Sequence, residues 1–167
     1  RGLVDSKFNE RKGECDAALA EIRKHHPLSG LSLGTIEDLD LIEDEVLRRR
    51  ARHAITENLR VLAFMDALNA GDTAKIAEII TASHESLRND YEVSGLELDT
   101  IVEIARKQPG CLASRMTGAG FGGCAIALVA SDKVTAFKEA VPKLYEEAIG
   151  TVPTLYDAEI GDGVYDL

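Results

Sequence analysis

Four glycines fall within six positions of the stretch that decides the fold, residues 115–124, which reads Arg-Met-Thr-Gly-Ala-Gly-Phe-Gly-Gly-Cys. An apolar run, Ala-Ile-Ala-Leu-Val-Ala, follows at once at residues 125–130 and has the length of a buried strand. Residues 111–116 form a second strand-like run before the glycines. The stretch therefore predicts two strands joined by a glycine-rich loop, with the second strand (124–130) central and buried.

The known glycine motifs fit this stretch poorly. Gly118, Gly120 and Gly123 match the Gly-x-Gly-x-x-Gly pattern of dinucleotide-binding folds, but there the glycines open a helix, whereas here a strand follows. A Walker loop needs Lys and Ser or Thr after its last glycine, and Cys124 and Ala125 stand there instead. A protein-kinase glycine loop does lie between strands, but its companion signatures are absent from the sequence.

Two interpretations of the loop remain open on spacing alone. Glycines supply the positive φ angles that hairpin connections need, which favours a purely structural turn. A two-residue turn needs only one or two glycines, however. Four of them directly after Thr117 indicate that another group approaches the backbone.

The residues before the loop have helical periodicity. Helices are predicted over about residues 6–24, 43–70, 94–107 and 132–149, with another beginning at Asp72, a short helical turn opened by Thr35 and Asp38, and a final strand over 151–160. The fold class is therefore α+β: a helical first half followed by a small, mainly antiparallel sheet with a glycine-rich loop, in one domain spanning residues 1–167.

Local signals refine the helix boundaries. Gly71 is expected to end the long helix in a left-handed conformation, and Asp72 to cap the next one. Ser94 with Glu97 predicts a capping box, and Pro142 a kink in the last helix. The inward face of the long helix is expected to consist of Val46, Ile55, Leu59, Leu62 and Met65.

Composition excludes several classes of partner. A net charge of -10 and a pI near 4.9 disfavour nucleic acid and anionic membranes, and Arg48–Arg50 with Arg52 have the pattern of a solvated helical face. Three widely spaced cysteines predict neither a disulfide framework nor a zinc site, and Cys124 is expected to be a small buried residue. No long apolar run or targeting segment is present, so a cytoplasmic location is expected.

Residues 114–129 as a whole resemble the third conserved motif of the GHMP sugar and metabolite kinases, in the form typical of galactokinases. Three further segments resemble galactokinases in the same order: residues 1–15, His53 with residues 57–61, and residues 83–94. The resemblance covers nearly the whole chain, and four ordered motifs are more specific than the glycines alone.

The resemblance is to the C-terminal half of that family only. It implies an enzyme that transfers the γ-phosphoryl group of ATP to the C1 hydroxyl of α-D-galactose, with ATP and Mg²⁺ bound mainly by an N-terminal half. Nothing in this sequence matches the catalytic or metal-binding segments of that half, so no catalytic residue and no metal ligand is assigned here. The chain alone is expected to be inactive, and the helices between residues 43 and 88 are expected to contact the other half.

Two sets of site residues follow from the resemblance. The loop would lie beside the ATP phosphates, through Thr117, Gly118, Ala119, Gly120, Phe121, Gly122 and Gly123. Phe8 stands where galactokinases commonly have a tyrosine that reaches the sugar. Its helical register with Cys15 and Leu19 allows a second interpretation, as the first core residue of its helix.

His84 is expected to be a satisfied interface histidine, because no second histidine or carboxylate stands at a ligand or base spacing from it. Two functions other than catalysis stay open. One is a relative that binds sugar and ATP without turnover and signals through a protein partner. The other is an independent small interaction module.

Overall fold

A computed structural model describes residues 2–158 and Gly161. Five α-helices and two strands account for most of it: α1 (Gly2–Arg23), α2 (Glu45–Ala70), α3 (Thr73–Ser86), α4 (Leu96–Arg106), β1 (Cys111–Thr117), β2 (Cys124–Val129) and α5 (Val134–Ile149). Short 3₁₀ turns lie at Leu31–Leu33, Glu37–Leu41 and Ser131–Lys133, and a π-helical turn at Leu87–Tyr91 follows α3. The α+β class is confirmed.

The predicted hairpin is confirmed. Strands β1 and β2 pair antiparallel, from Cys111 opposite Val129 to Thr117 opposite Cys124, with one irregularity between Cys111 and Ala113. The glycine loop, residues 118–123, connects their ends.

Capping geometry confirms the predicted boundary between α2 and α3. Gly71 ends α2 with φ 66°, and the Asp72 carboxylate accepts the Lys75 N–H at 2.9 Å at the start of α3. The capping box at Ser94 is wrong. Helix α4 begins after Gly95, which has φ 85° and no capping side chain, because Ser94 is buried in the turn before it. Helix α5 continues through Pro142.

The inward face predicted for α2 is correct only at Ile55. The C-terminal half of α2 packs on α3 through a neighbouring stripe that contains Ala63, Phe64 and Ala67. The other four predicted core residues lie outside this stripe and are exposed: Val46, Leu59, Leu62 and Met65. Every helix among the described residues is too short or too polar to span a bilayer.

Strand β2 is not the buried central strand that its apolar sequence predicts. Among the described residues the sheet has two strands, so β2 is an edge strand, and Ile126 is 52% exposed. Cys124 is exposed as well. The predicted final strand is wrong over residues 151–158, which contain no strand, and residues 159–160 lie outside the described part.

The core directly beneath the loop joins the turn after α3, helix α4 and strand β1. It consists of Leu87, Val93, Leu98 and Met116, with Tyr91 and Phe121 packed against it. A second cluster joins α1 to α2 through residues that include Ala18, Ile22, Ala51 and Ile55.

The arginine run is not simply a solvated face, because Arg50 is only 1% exposed. Its guanidinium donates to Glu14 Oε2 (2.7 Å), to the carbonyl of Asp90 (2.6 Å) and to Glu92 Oε2 (2.6 Å). This one side chain links α1, α2 and the turn that follows α3.

Replacing Arg50 with alanine will leave two carboxylates without their shared cation. We expect the free energy of unfolding to fall by about 3 kcal/mol, near the lower end for breaking a buried ion pair, since Glu14 and Glu92 keep some solvent contact. Urea denaturation followed by circular dichroism measures the change. Lys75→Ala is the control, because it breaks only an exposed pair with Glu78 and will remove less than about 1 kcal/mol. Equal losses in both variants would contradict the assigned role of Arg50.

Candidate functional site

The glycine loop has an unusual backbone. Five of its six residues have positive φ: Gly118 (83°), Gly120 (82°), Phe121 (57°), Gly122 (112°) and Gly123 (105°). Residues other than glycine are disfavoured at positive φ by about 1 kcal/mol or more. The glycines are therefore required by the path of the chain, as the hairpin interpretation expects.

At Gly120 the space that a side chain would need is already occupied by Val93. A Cβ added there would lie 2.1 Å from the carbonyl oxygen of Val93. The next residue, Phe121, donates its backbone N–H to the same oxygen at 2.7 Å, and its ring packs on the core beneath the loop. The middle of the loop is thus fixed to the turn after α3.

The other three glycines face open space. Around an added Cβ at Gly118, Gly122 or Gly123, the described residues place no atom within 4 Å. A ligand can approach the backbone at these positions. The φ angles of all four glycines agree with the hairpin interpretation. A close approach of another group to the backbone is present at Gly120, where that group is the Val93 carbonyl, whereas approach of a ligand to Gly118, Gly122 or Gly123 stays a prediction.

The first part of α1 lies against the loop. Lys7 Nζ is 5.4 Å from the centre of the Phe121 ring, within the range of a cation–π contact. The neighbouring Phe8 is 53% exposed, so the alternative that it is a core residue is wrong. The apolar positions of α1 that enter the core, Ala18 and Ile22, lie in later turns of the helix.

Side chains from α3 and β1 support the base of the loop. The backbone N–H of Met116 donates to His84 Nδ1 at 3.2 Å, and Arg115 Nε donates to the Met116 carbonyl at 3.0 Å. Arg115 also donates to the hydroxyl of Ser83 at 2.8 Å. The segments 83–94 and 114–129, which carried two parts of the resemblance, are therefore in direct contact.

The motif on α2 joins the same network. Ser83 donates its hydroxyl proton to Glu57 Oε2 at 2.8 Å, and Glu57 also pairs with Arg60. Burial alone would raise the pKa of Glu57, but the hydrogen bonds from Arg60 and Ser83 outweigh it and lower that pKa. The carboxylate is ionised at neutral pH and holds Ser83 in place for Arg115.

His53 completes the packing between α2 and the turn after α3. Its ring stacks on Tyr91 with centroids 4.4 Å apart. Ser86 donates to Asp90 at 3.1 Å, which leaves the Ser86 oxygen to accept from His53 Nδ1 at 3.0 Å. Burial lowers the pKa of His53 to about 4, so the ring is neutral at pH 7.

The prediction that His84 is a satisfied histidine holds only at Nδ1, because the buried Nε2 has no hydrogen-bond partner among the described residues, although a carboxylate lies near it. Its Nε2 is 3.4 Å from Asp99 Oδ1 on α4, a contact that local spacing could not reveal. The contact of the loop with the Val93 carbonyl could not be predicted, because a backbone oxygen leaves no signal in the sequence. Within residues 2–158 and Gly161, no group of three or more His, Cys, Asp or Glu side chains is placed to hold a metal ion.

Comparisons with known proteins give one consistent result. The chain is 49% identical to a galactokinase of Halalkalibacterium halodurans over 98% of its length, and 50% identical to one of Exiguobacterium sibiricum over 100%. The crystal structure of Lactococcus lactis galactokinase complexed with galactose superposes with a TM-score of 0.91, at 50% identity over 98% of this chain. In each case the chain spans 43% of the relative's length.

The family described as "GHMP kinases C terminal" matches residues 64–147. This range contains α3, α4, the hairpin with its glycine loop and most of α5. The chain therefore belongs to the GHMP kinase family and corresponds to the C-terminal region of its members.

Proposed function

We propose that residues 1–167 form the C-terminal domain of a galactokinase, an enzyme that transfers the γ-phosphoryl group of ATP to the C1 hydroxyl of α-D-galactose. One observation carries the proposal: a firmly held loop with three accessible glycines, in a chain about half identical to galactokinases along nearly its whole length. The galactose in the Lactococcus lactis structure supports this sugar as the substrate.

In this proposal the loop shapes the phosphate side of the ATP site. Residues 115–124 contain one cation, Arg115, and no acidic residue, although the chain as a whole carries a net charge of -10. The open backbone at Gly118, Gly122 and Gly123 lets N–H groups approach an anion without intervening side chains. Fixed backbone donors of this kind stabilise developing charge without having to reorganise during phosphoryl transfer.

The rest of the machinery belongs, in this proposal, to an N-terminal domain. That domain would supply the catalytic carboxylate and most contacts to ATP and Mg²⁺. The proposed location of the enzyme is the cytoplasm. An apolar stripe on α2 remains exposed in the described structure and is a suitable surface for that domain: Leu59, Leu62, Met65 and Leu68. The alternative of a sugar sensor without turnover has no specific observation in its favour, since the relatives described above are galactokinases.

The chain on its own will not phosphorylate galactose, because the proposal places the catalytic carboxylate outside it. We expect ATP to bind in the millimolar range or more weakly, which corresponds to about 4 kcal/mol. A coupled assay for ADP and titration calorimetry with ATP measure both. Turnover clearly above background would show that the roles of the two halves are assigned wrongly.

Alanine substitutions at Gly118 and Gly120 distinguish the structural role of the loop from its role in phosphoryl transfer. Gly118 and Gly120 have nearly equal φ angles, so alanine introduces the same backbone strain at each. Only Gly120→Ala also forces a Cβ against the Val93 carbonyl, which will cost about 1 to 3 kcal/mol more in the free energy of unfolding. Thermal and urea melts of the full-length variants measure the difference.

Gly118→Ala will instead impair the reaction of the full-length enzyme. We expect kcat/KM for ATP to fall about tenfold, or about 1.4 kcal/mol of transition-state stabilisation, with a smaller loss of stability than in Gly120→Ala. Initial rates at varied ATP decide this. If Gly118→Ala keeps normal kinetics, the loop does not meet the phosphates.

Phe8→Tyr tests contact with the sugar. In the full-length enzyme the added hydroxyl can make one hydrogen bond worth about 0.5 to 1.5 kcal/mol, which is about a two- to twelve-fold change in the KM for galactose. The KM for ATP will stay constant. Because Phe8 is exposed, the melting temperature should change little. Unchanged galactose kinetics would remove Phe8 from the site.

A further inference from the structure

The edge of β1 that does not face β2 is bound by side chains. The Ser114 carbonyl accepts hydrogen bonds from Arg106 Nε (3.1 Å) and Nη2 (2.9 Å). Two residues further, the Met116 N–H donates to His84. Backbone groups at the edge of a sheet need such partners when they are buried. Helices α3 and α4 supply them here, in the position that a third strand would occupy.

The contact between His84 and Met116 fixes the tautomer of the histidine. A backbone N–H can only donate, so Nδ1 must be the unprotonated nitrogen and Nε2 must carry the proton. His84 is 1% exposed, and burial together with the nearby charge of Arg106 lowers its pKa. The ring is therefore neutral and acts toward Met116 as a fixed acceptor.

The other side of the ring makes a weaker contact. Nε2 faces Asp99 Oδ1 at 3.4 Å, but the alignment is poor, and neither atom has a hydrogen-bond partner among the described residues. Asp99 also lies 3.3 Å from Arg88 Nε through its other oxygen. The well-formed interaction of His84 is thus the one with Met116.

Met116 is the last buried residue before the loop. Its side chain is fully buried in the core beneath the loop, whereas Thr117 and Gly118 are exposed. Its N–H is held by His84, and its carbonyl by Arg115. The backbone of Met116 is thus held on both sides, and this sets the direction in which the chain continues toward Gly118, one of the accessible glycines.

We propose that His84 is a positioning residue for phosphoryl transfer: its Nδ1 fixes the Met116 peptide and so orients the first accessible glycine of the loop. This inference rests on the proposed function of the loop. His84 does not touch a substrate and takes part in no proton transfer. It acts only through the backbone of β1.

Two amide substitutions in the full-length enzyme distinguish this role from simple packing. In His84→Asn the side-chain oxygen can occupy the place of Nδ1 and accept from Met116. In His84→Gln the amide extends toward the place of Nε2 instead, and the acceptor at Nδ1 is lost. Both variants bury an amide at the same site, so a purely structural role predicts the same loss of activity in both.

We expect His84→Gln to lower kcat/KM for ATP about tenfold while the KM for galactose stays within about twofold, and His84→Asn to retain kcat/KM within about threefold of wild type. Asp99→Asn is the control for the Nε2 side and should leave the kinetics unchanged. Equal ATP kinetics in the Asn and Gln variants, at matched melting temperatures, would overturn the proposal.

Two measurements do not depend on activity. Nitrogen NMR of wild-type His84 will show protonated Nε2 and unprotonated Nδ1, and the reverse pattern would overturn the proposal even if a variant fails to fold. Amide exchange at Met116 will stay slow in His84→Asn and become faster in His84→Gln. If the wild-type enzyme does not phosphorylate galactose, the proposed function fails, and the exchange pattern alone decides whether His84 holds the loop.

Discussion

The carbonyl oxygen of Val93 joins the helical part of the molecule to the hairpin. It accepts the N–H of Phe121 at 2.7 Å and occupies the space where a side chain at Gly120 would stand. A two-stranded sheet is only marginally stable by itself in water. The hairpin therefore depends on this contact and on the side chains that bind its outer edge. The shape of the glycine loop is imposed by the helices around it as much as by its own sequence.

The position of the Val93 backbone depends in turn on the ion pairs of its neighbour Glu92. The π-helical turn after α3 ends at Glu92, which has φ 55°, and the carboxylate of this strained residue pairs with Arg49 and the buried Arg50. Arg50 also binds Glu14 on α1, so one cation sets the spacing of three segments. Removal of Arg50 would break its ion pairs with Glu14 and Glu92 together, so the relative position of these segments depends on one buried cation.

The sequence was sufficient to predict elements with a local cause. Gly71 and Asp72 mark helix ends through their own backbone and side chain, and the hairpin follows from the apolar runs on either side of the loop. Predictions that required knowledge of the neighbouring surface failed. An apolar residue such as Leu59 indicates a buried face, but which face is covered depends on where α3 packs. The support of the loop was also invisible, because His84 and Met116 meet only in the folded chain.

The bond between His84 and Met116 has a consequence for the order of folding. Its two partners are separated by all of α4 and most of β1, so it can form only after those segments have docked. Contacts between distant parts of a chain are gained late, since the entropy of closing the intervening segment must be lost first. We therefore expect the backbone around Gly118 to reach its final shape only after the helices that flank it have formed and docked.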